Sequence, residues 1–504
     1  MTITSFSLVT KGLLRIDGAI KIRFHNIFFA GPALGIRHLQ VLFLFTCATL
    51  VMLQQMNMSV AIVAITNSNS SNLDYPEYHL TGQQKSYILS STFWGCCFTQ
   101  LLGGYFSSRF GAKMLLFVIS LATGLLSVVT PFSIAWGGWK LLFGVRLLQG
   151  LVMGGMWPCL YTHLAKWCPK KEQNRFGGIM TTGLDCGTAL GFALSGVLSA
   201  SHLGWPSSFY VPGYVGIVWC LLWLRYGANS PSESLFISLA ERKYIELSLE
   251  QSNAPKGEIP PVPWRHILTS RPFLVLAFCK MSQACSFYTL MQQIPRYIHG
   301  IFRYSIWANA LLSALPFVIM LMFSYFFIFL AEYLTQRRNI PLPILRKTIN
   351  SYASWTPAIA LVALTYISDQ NVVGIICCLV AAVAAISGQA IGCSLNHVDL
   401  APNFAGLLFG ISNTLMSGAG VISPLIIGFV VTNESDRTQW RSVFLGIAAV
   451  LFVGNLLYLI FGEMTVQPWN GPRPVETGTA VENQTAGPMP APDGPPSMEK
   501  FTYF

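Results

Sequence analysis

About twelve windows of some 20 mostly apolar residues recur along this chain, with short polar breaks between them. A helix rises ~1.5 Å per residue, so one such window crosses the ~30 Å hydrocarbon core of a bilayer. The spans fall at 39–64, 84–106, 112–133, 138–161, 176–200, 208–226, 273–295, 309–331, 349–368, 372–394, 404–431 and 439–462. The tenth can be extended into the polar Asn-His-Val-Asp that follows it, and the eleventh can start later. Hydrophobic residues make up 53% of the 504 and charged residues 10%, which excludes a soluble globule of ordinary composition. The fold class is an all-α membrane protein.

The net charge of +11 raises the question of nucleic acid, and the distribution of that charge answers it. On the side of the N-terminus, Lys and Arg number five before the first span, two after the second, four after the fourth, six after the sixth, four after the eighth and two in the tail. The other side holds six: Lys85, Lys140, Arg296, Arg303, Arg437 and Arg441. The positive-inside rule then places both termini in the cytosol, and the partner of the basic loops is the lipid bilayer rather than nucleic acid.

The breaks divide the chain into a basic cytosolic lead (1–38), a first six-helix bundle (39–226), a cytosolic linker (227–272), a second bundle (273–463) and a disordered tail (464–504). In the linker, SLAERKYIELSLEQ reads as an amphipathic helix and KGEIPPVPWRHILTSRP as extended chain. GGYFSSRFGAKM at 103–114 reads as a tight cytosolic turn, with Arg109 and Lys113 around Gly111. Lys11 to Arg23 precede only a short apolar patch broken by Gly and Pro, so the first span is the expected targeting signal. None of the 12 cysteines falls in an external loop, and their spacing implies neither disulfides nor a metal site. Asn69-Ser70-Ser71, on the expected outer side, is a glycosylation sequon; Asn433-Glu434-Ser435 is another, closer to the membrane.

Among the ionisable residues inside apolar spans, Arg146 and Asp185 stand out first. Arg146 has only Leu, Val, Gly and Phe around it in sequence, and an unpaired guanidinium in hydrocarbon costs several kcal/mol. It therefore faces protein or a water-filled cavity, and on a helix it shares a face with Gln149, Met153 and Trp157. A cation lining a cavity suits an anion pathway; pairing with a carbonyl or carboxylate is the structural alternative. Asp185, among glycines and threonines in the fifth span, is either the counter-charge of Arg146 or a proton-coupling group. In the first span Gln55 and Ser59 share a face, where they either bind solute or, with Gln54 and Asn57, hold helices together.

Six motifs in order give the chain a resemblance: MNMSVAIV at 56–63, GGYFSSRFGAK at 103–113, RLLQGLVMG at 146–154, KWCPKKEQNR at 166–175, SLNHVDLAPNFAGLLFGISN at 394–413, and VFLGIAA before QPW at 443–469. They resemble the anion:cation symporters of the major facilitator superfamily: sialin, the vesicular glutamate transporters and the sodium–phosphate cotransporter-like proteins, the insect phosphate-cotransporter-like members among them. The resemblance implies two six-helix bundles rocking about a midplane site, with an anion as substrate and a proton or sodium ion as coupling partner. By position, Arg146 matches the family's fourth-helix arginine, Asn396, His397 and Asp399 its NH-x-D segment, and Asn413 its GISN asparagine. The chain also departs from the family pattern. Gln55 stands where a first-span arginine is common, Gln283 where glutamate carriers have an arginine, Met153 for a glutamate and Tyr161 for a histidine. Lys280, one turn before Gln283, either replaces the missing cation or snorkels to the membrane edge. His397 and Asp399 either relay protons or gate a helix end.

The expected protein is a carrier of a small organic or inorganic anion, coupled to protons or sodium, with Arg146 as attractor and Gln55, Gln283, Lys280 and Tyr161 as lining. It has no nucleophile, metal or nucleotide motif, so neither an enzyme nor a cofactor is expected. A transport-inactive sensor or scaffold is the alternative. The plasma membrane and a vesicular or lysosomal membrane both suit the sequence.

Overall fold

The structure, a computed structural model, describes residues 35–67, 74–169, 172–250, 262–337, 341–394 and 396–471. Asn69 and most of the basic lead and of the tail lie outside these residues, though the tail's first residues, 464–471, are described and hold a 3₁₀ turn at Pro468–Asn470; among the described residues there is no strand. The first set of helices is α1 (Ile36–Thr66), α2 (Gly82–Phe110), α3 (Ala112–Met153), α4 (Met156–Trp167), α5 (Gln173–Ala200) and α6 (Ser207–Tyr226). After α7 (Leu239–Glu250) and α8 (Trp264–Thr269) comes the second set: α9 (Arg271–Phe302), α10 (Ile306–Arg337), α11 (Leu342–Tyr366), α12 (Val372–Ala385), α13 (Asn396–Leu400), α14 (Ala405–Val430) and α15 (Arg437–Phe461).

Nine helical stretches among the described residues are long and apolar enough to cross a membrane. One of them, Ala112–Trp167, has 56 residues and would be about 84 Å long if straight, so it must contain two crossings. It turns back at Gly138, whose φ of +59° is open to glycine at little cost. The more polar α2 and α11 complete the expected twelve.

Four local expectations change. α2 continues through 103–110, where Gly103 lies against Gly155, so the turn shrinks to Gly111 at φ +82°. The fourth span breaks at Gly154–Gly155 and resumes as α4. The tenth span stops at Ala385, a 3₁₀ turn runs to Ala390, and Asn396–Leu400 forms a separate single turn. Residues 264–269, expected to be extended, form α8 with Ile267 buried beneath it. The amphipathic helix expected in the linker is α7, docked on α1: its Glu241 accepts from the Ile36 and Arg37 amides (both 3.0 Å) and caps the free N–H groups there.

Within the first bundle, Gly183, Gly187 and Gly191 form a stripe one turn apart that brings α5 onto the backbone of α1. Between the bundles, α2 packs on α14 and α5 on α10. The apolar cores differ at the two ends. At the end remote from Gly35 and Gly471, one cluster joins both bundles, including Ile62, Phe93, Ile298, Ile427 and Trp440. At the end that carries Gly35 and Gly471, the first bundle has its own core around Trp219 and Trp223, and the second its own around Phe273 and Tyr458. The molecule is closed at its far end.

Candidate functional site

Arg146 lies on α3 beyond the Gly138 break, 2% exposed. Its guanidinium donates to the carbonyls of Gln54 (3.1 Å) and Gln55 (2.8 Å) on α1, and to Oε1 of Gln149 one turn along (2.7 Å). A helical carbonyl has a second lone pair, so α1 accepts these without losing its own ladder. Nε has no partner. The expected opening onto a wet cleft is therefore corrected for this state: Arg146 is sealed against neutral acceptors. The cause is close helix packing, since Gly95 lies on the Leu147–Leu151 backbone and Gly150 on that of Thr92, which presses α2 onto α3 at this level.

The neighbouring amides divide their roles. Gln54 donates to the Pro212 carbonyl (2.8 Å) and Asn57 to the Ser208 carbonyl (2.9 Å), so both hold α1 to α6. Gln55 holds Arg146 through its backbone, while its side-chain amide has no hydrogen-bond partner among the described residues.

In the second bundle Lys280 on α9 is 3% exposed. Its Nζ lies 3.4 Å from Ser394 Oγ and 4.9 Å above the Phe409 ring, so it turns inward and does not snorkel to the membrane edge. Phe409 also meets the rings of His397 at 5.5 Å and Tyr161 at 6.4 Å. It thereby joins Lys280 to Tyr161 of the other bundle, which is 41% exposed. Gln283 departs from its expected lining role. It donates to Asn350 (3.0 Å) and Ser354 (2.8 Å) and accepts from the Cys393 thiol (3.1 Å), a fully engaged joint between helices. The expected relay of His397 and Asp399 is also not assembled. His397 bonds the Ser394 carbonyl (3.0 Å) and Ser412 Oγ (2.9 Å), whereas Asp399 pairs with Arg346 (3.1 Å) and Asn396 donates to the Tyr458 hydroxyl (3.2 Å). Sequence reasoning missed Phe409, Ser394 and Ser412, although all three lie inside the quoted 394–413 motif.

Asp185 is not the counter-charge of Arg146. Its Oδ2 accepts from Ser324 Oγ on α10 (2.6 Å), and the Thr182 hydroxyl lies 3.1 Å from the Tyr325 hydroxyl beside it. The carboxylate thus sits on the seam between the two bundles, with no cation within ion-pair reach among the described residues.

Among the described residues five Arg and Lys side chains are buried: Arg37, Arg146, Lys280, Arg296 and Arg346. Arg37 pairs with Glu172 and Glu241, Arg296 with Glu434, and Arg346 with Asp399. Arg146 and Lys280, one in each bundle, have no carboxylate among the described residues.

Two six-helix bundles closed over such a polar interior define a membrane carrier. The sequence pattern of the Major Facilitator Superfamily matches residues 44–424. The Drosophila ananassae protein named "Putative inorganic phosphate cotransporter" is 33% identical over 452 residues, which cover 85% of this chain and 93% of that one. Vesicular glutamate transporter 2 of Homo sapiens is 32% identical over 425 residues, 82% of this chain and 72% of that one. Among solved structures, a bacterial homolog of the human lysosomal transporter Spinster, inward-facing and unoccupied, aligns with a TM-score of 0.63 at 16% identity, covering 85% of this chain and 97% of its own. The inward-open xylose transporter XylE from E. coli aligns at 0.63 and 13% identity, covering 84% and 97%. Both share the fold. The chain belongs to the major facilitator superfamily and, within it, to the anion:cation symporter family that holds these phosphate-cotransporter and vesicular glutamate transporter relatives; it is a transporter and not an enzyme.

Proposed function

We propose that this transporter is a secondary active carrier of a small anion, working by alternating access, with Arg146 and Lys280 as its attracting cations. The observation that carries the reading is that these two buried cations lack a carboxylate while Arg37, Arg296 and Arg346 each have one. The Gln54 and Gln55 carbonyls offer Arg146 only dipoles, whereas an anion brings a full opposite charge and can take two parallel N–H bonds from the guanidinium, so an arriving anion outcompetes them. The unpartnered amide of Gln55 and the exposed ring of Tyr161 complete the lining. Relatives named for phosphate and for glutamate fit an anionic cargo.

Asp185 takes the coupling role in this reading. A carboxylate hydrogen-bonded across the bundle seam changes its surroundings whenever the bundles rock, which ties its ionisation to the access state. The bundles correspond to 39–226 and 273–463, and the basic asymmetry orients both termini to the cytosol. The test is uptake of radiolabelled phosphate and glutamate into proteoliposomes under a sodium or a proton gradient. Gradient-driven accumulation of one of them, lost in Arg146→Ala, supports the proposal; full uptake by folded Arg146→Ala sinks it. Asp185→Asn is expected to flatten the pH dependence of uptake, and an unchanged profile removes Asp185 from coupling.

A further inference from the structure

At the far end, charged groups from three elements converge on one oxygen. Lys85 on α2 lies 3.0 Å from Glu434 Oε1, and Arg296 on α9 reaches the same atom with Nη2 (2.9 Å) and Nε (3.1 Å). The side chain of Arg296 is 0% exposed, that of Lys85 14% and that of Glu434 21%. The loop carrying Glu434 is fixed in place: its carbonyl accepts from Trp440 Nε1 (2.9 Å), and Gly300 packs directly on its backbone. Arg296 Nη1 donates to Gln293 (2.9 Å). Burial alone would raise the Glu434 carboxyl, but Arg296 and Lys85 outweigh it and hold the group down at about 2.

Arg296 and Glu434 belong to the second bundle and Lys85 to the first. Among the described residues, Lys85–Glu434 is the one ion pair that crosses from bundle to bundle. The contact of Asn67 with His299 (3.1 Å) crosses beside it.

We infer that the Lys85–Glu434 pair is the lock that holds the far face shut, with Glu434 serving as a built-in anion that one bundle offers to the other. The two cations on Glu434 have different duties. Arg296 has no exposure, so it needs the carboxylate in every state and keeps Glu434 charged and aimed. Lys85 is partly exposed near the start of its helix and exchanges Glu434 for water when the bundles part. The far face then opens at the cost of one ion pair while the buried arginine stays neutralised. This holds whatever the carrier moves.

The test uses the purified full-length protein, so that neither sidedness nor transport enters the readout. Ser86, next to Lys85, is 1% exposed, packs against Gly428 of α14 and has an unpartnered hydroxyl, so Ser86→Cys is a mild reporter of separation between α2 and α14. Modification of position 86 by a polar maleimide is followed by peptide mass spectrometry, with melting temperatures as the folding control. Glu434→Gln and Lys85→Gln are each expected to speed modification at least about tenfold, and Lys85→Arg to stay within about twofold. Unchanged modification in both neutral variants, or an increase in only one of them, overturns the lock. Lys85→Gln removes the partly exposed member, so it keeps the test decisive if Glu434→Gln fails to fold.

Discussion

Arg296 and Arg146 are both guanidinium groups sealed inside a helix bundle, and the chain treats them in opposite ways. Arg296 receives a carboxylate from a loop held rigid for the purpose, as Arg346 receives Asp399 and Arg37 receives Glu172 and Glu241. Arg146 receives two carbonyls and an amide. Leaving a buried cation without its anion costs several kcal/mol, so a cation that only held helices together would be better served by the first arrangement. Lys280 repeats the second arrangement in the other bundle. Arg146 reaches from the fourth span to the first, and Lys280 reaches from the first span of its bundle to Ser394, just past the fourth. In this contrast, cations that fasten the fold are neutralised from within, while the two without a carboxylate among the described residues are left for an outside anion.

The contrast is broken most directly by giving Arg146 the partner it lacks. Gln149→Glu places a carboxylate where an amide oxygen already lies 2.7 Å away. A tethered anion competes with any cargo, so uptake is expected to fall by at least ~100-fold while the melting temperature rises by a few degrees, since a buried charge gains its counter-ion. Arg146→Ala is expected to lose uptake to the same extent without that thermal gain. Initial uptake rates and thermal melts of the two variants side by side decide the matter. Normal transport by Gln149→Glu would mean that Arg146 is a structural residue whose partners happen to be neutral.

A smaller effect is expected in the second bundle. Lys280→Gln keeps a hydrogen-bonding group near Ser394 but removes the charge, and a rise in KM of about tenfold is expected, with kcat changed less. Phe409→Leu keeps the charge and removes the aromatic face 4.9 Å beneath it, so a change of only about three- to fivefold is expected. If the two variants were equal in effect, Lys280 would matter through packing and not through its charge.

How much of this was legible in the sequence follows from which forces are local. A span of apolar residues carries its own signature, so the helices were readable to within several residues. Gly138 and Gly111 became hinges only through φ values that a sequence does not display, and 103–110 stayed helical because Gly103 meets Gly155 from another helix. The site was legible as far as chemical type allowed. Arg146, Lys280 and Asp185 stand out because charge in hydrocarbon is conspicuous wherever it occurs. Their partners were not legible, because pairing is a property of neighbouring helices. Asp185 and Arg146 looked like natural counter-charges yet attend to Ser324 and to α1. Gln283 and Gln55 are the same residue type on equivalent first spans, yet one amide is fully engaged and the other has no partner. Glu434 drew notice in the sequence only as the middle residue of a sequon, and its role appears once Lys85 and Arg296 are seen to share its oxygen.

The smallest expected effect concerns the neutralised side of the contrast. The Glu434 carboxyl is held at about 2 in the folded protein against an ordinary value of 4.5, so the folded state favours the ionised form. Its contribution to stability is then complete above the unfolded value and is lost as pH falls through the folded one. The difference in melting temperature between wild type and Glu434→Gln should therefore be a constant few degrees from about pH 8 to 5 and should shrink only below about pH 4.5. Beside it the His299 ring is bonded to Asn67 and faces the Tyr304 carbonyl at 3.3 Å. A difference that changed between pH 8 and 6 would count against the carboxylate as the source of this contribution, whereas one that changed only in acid would keep it with the carboxylate and its two cations.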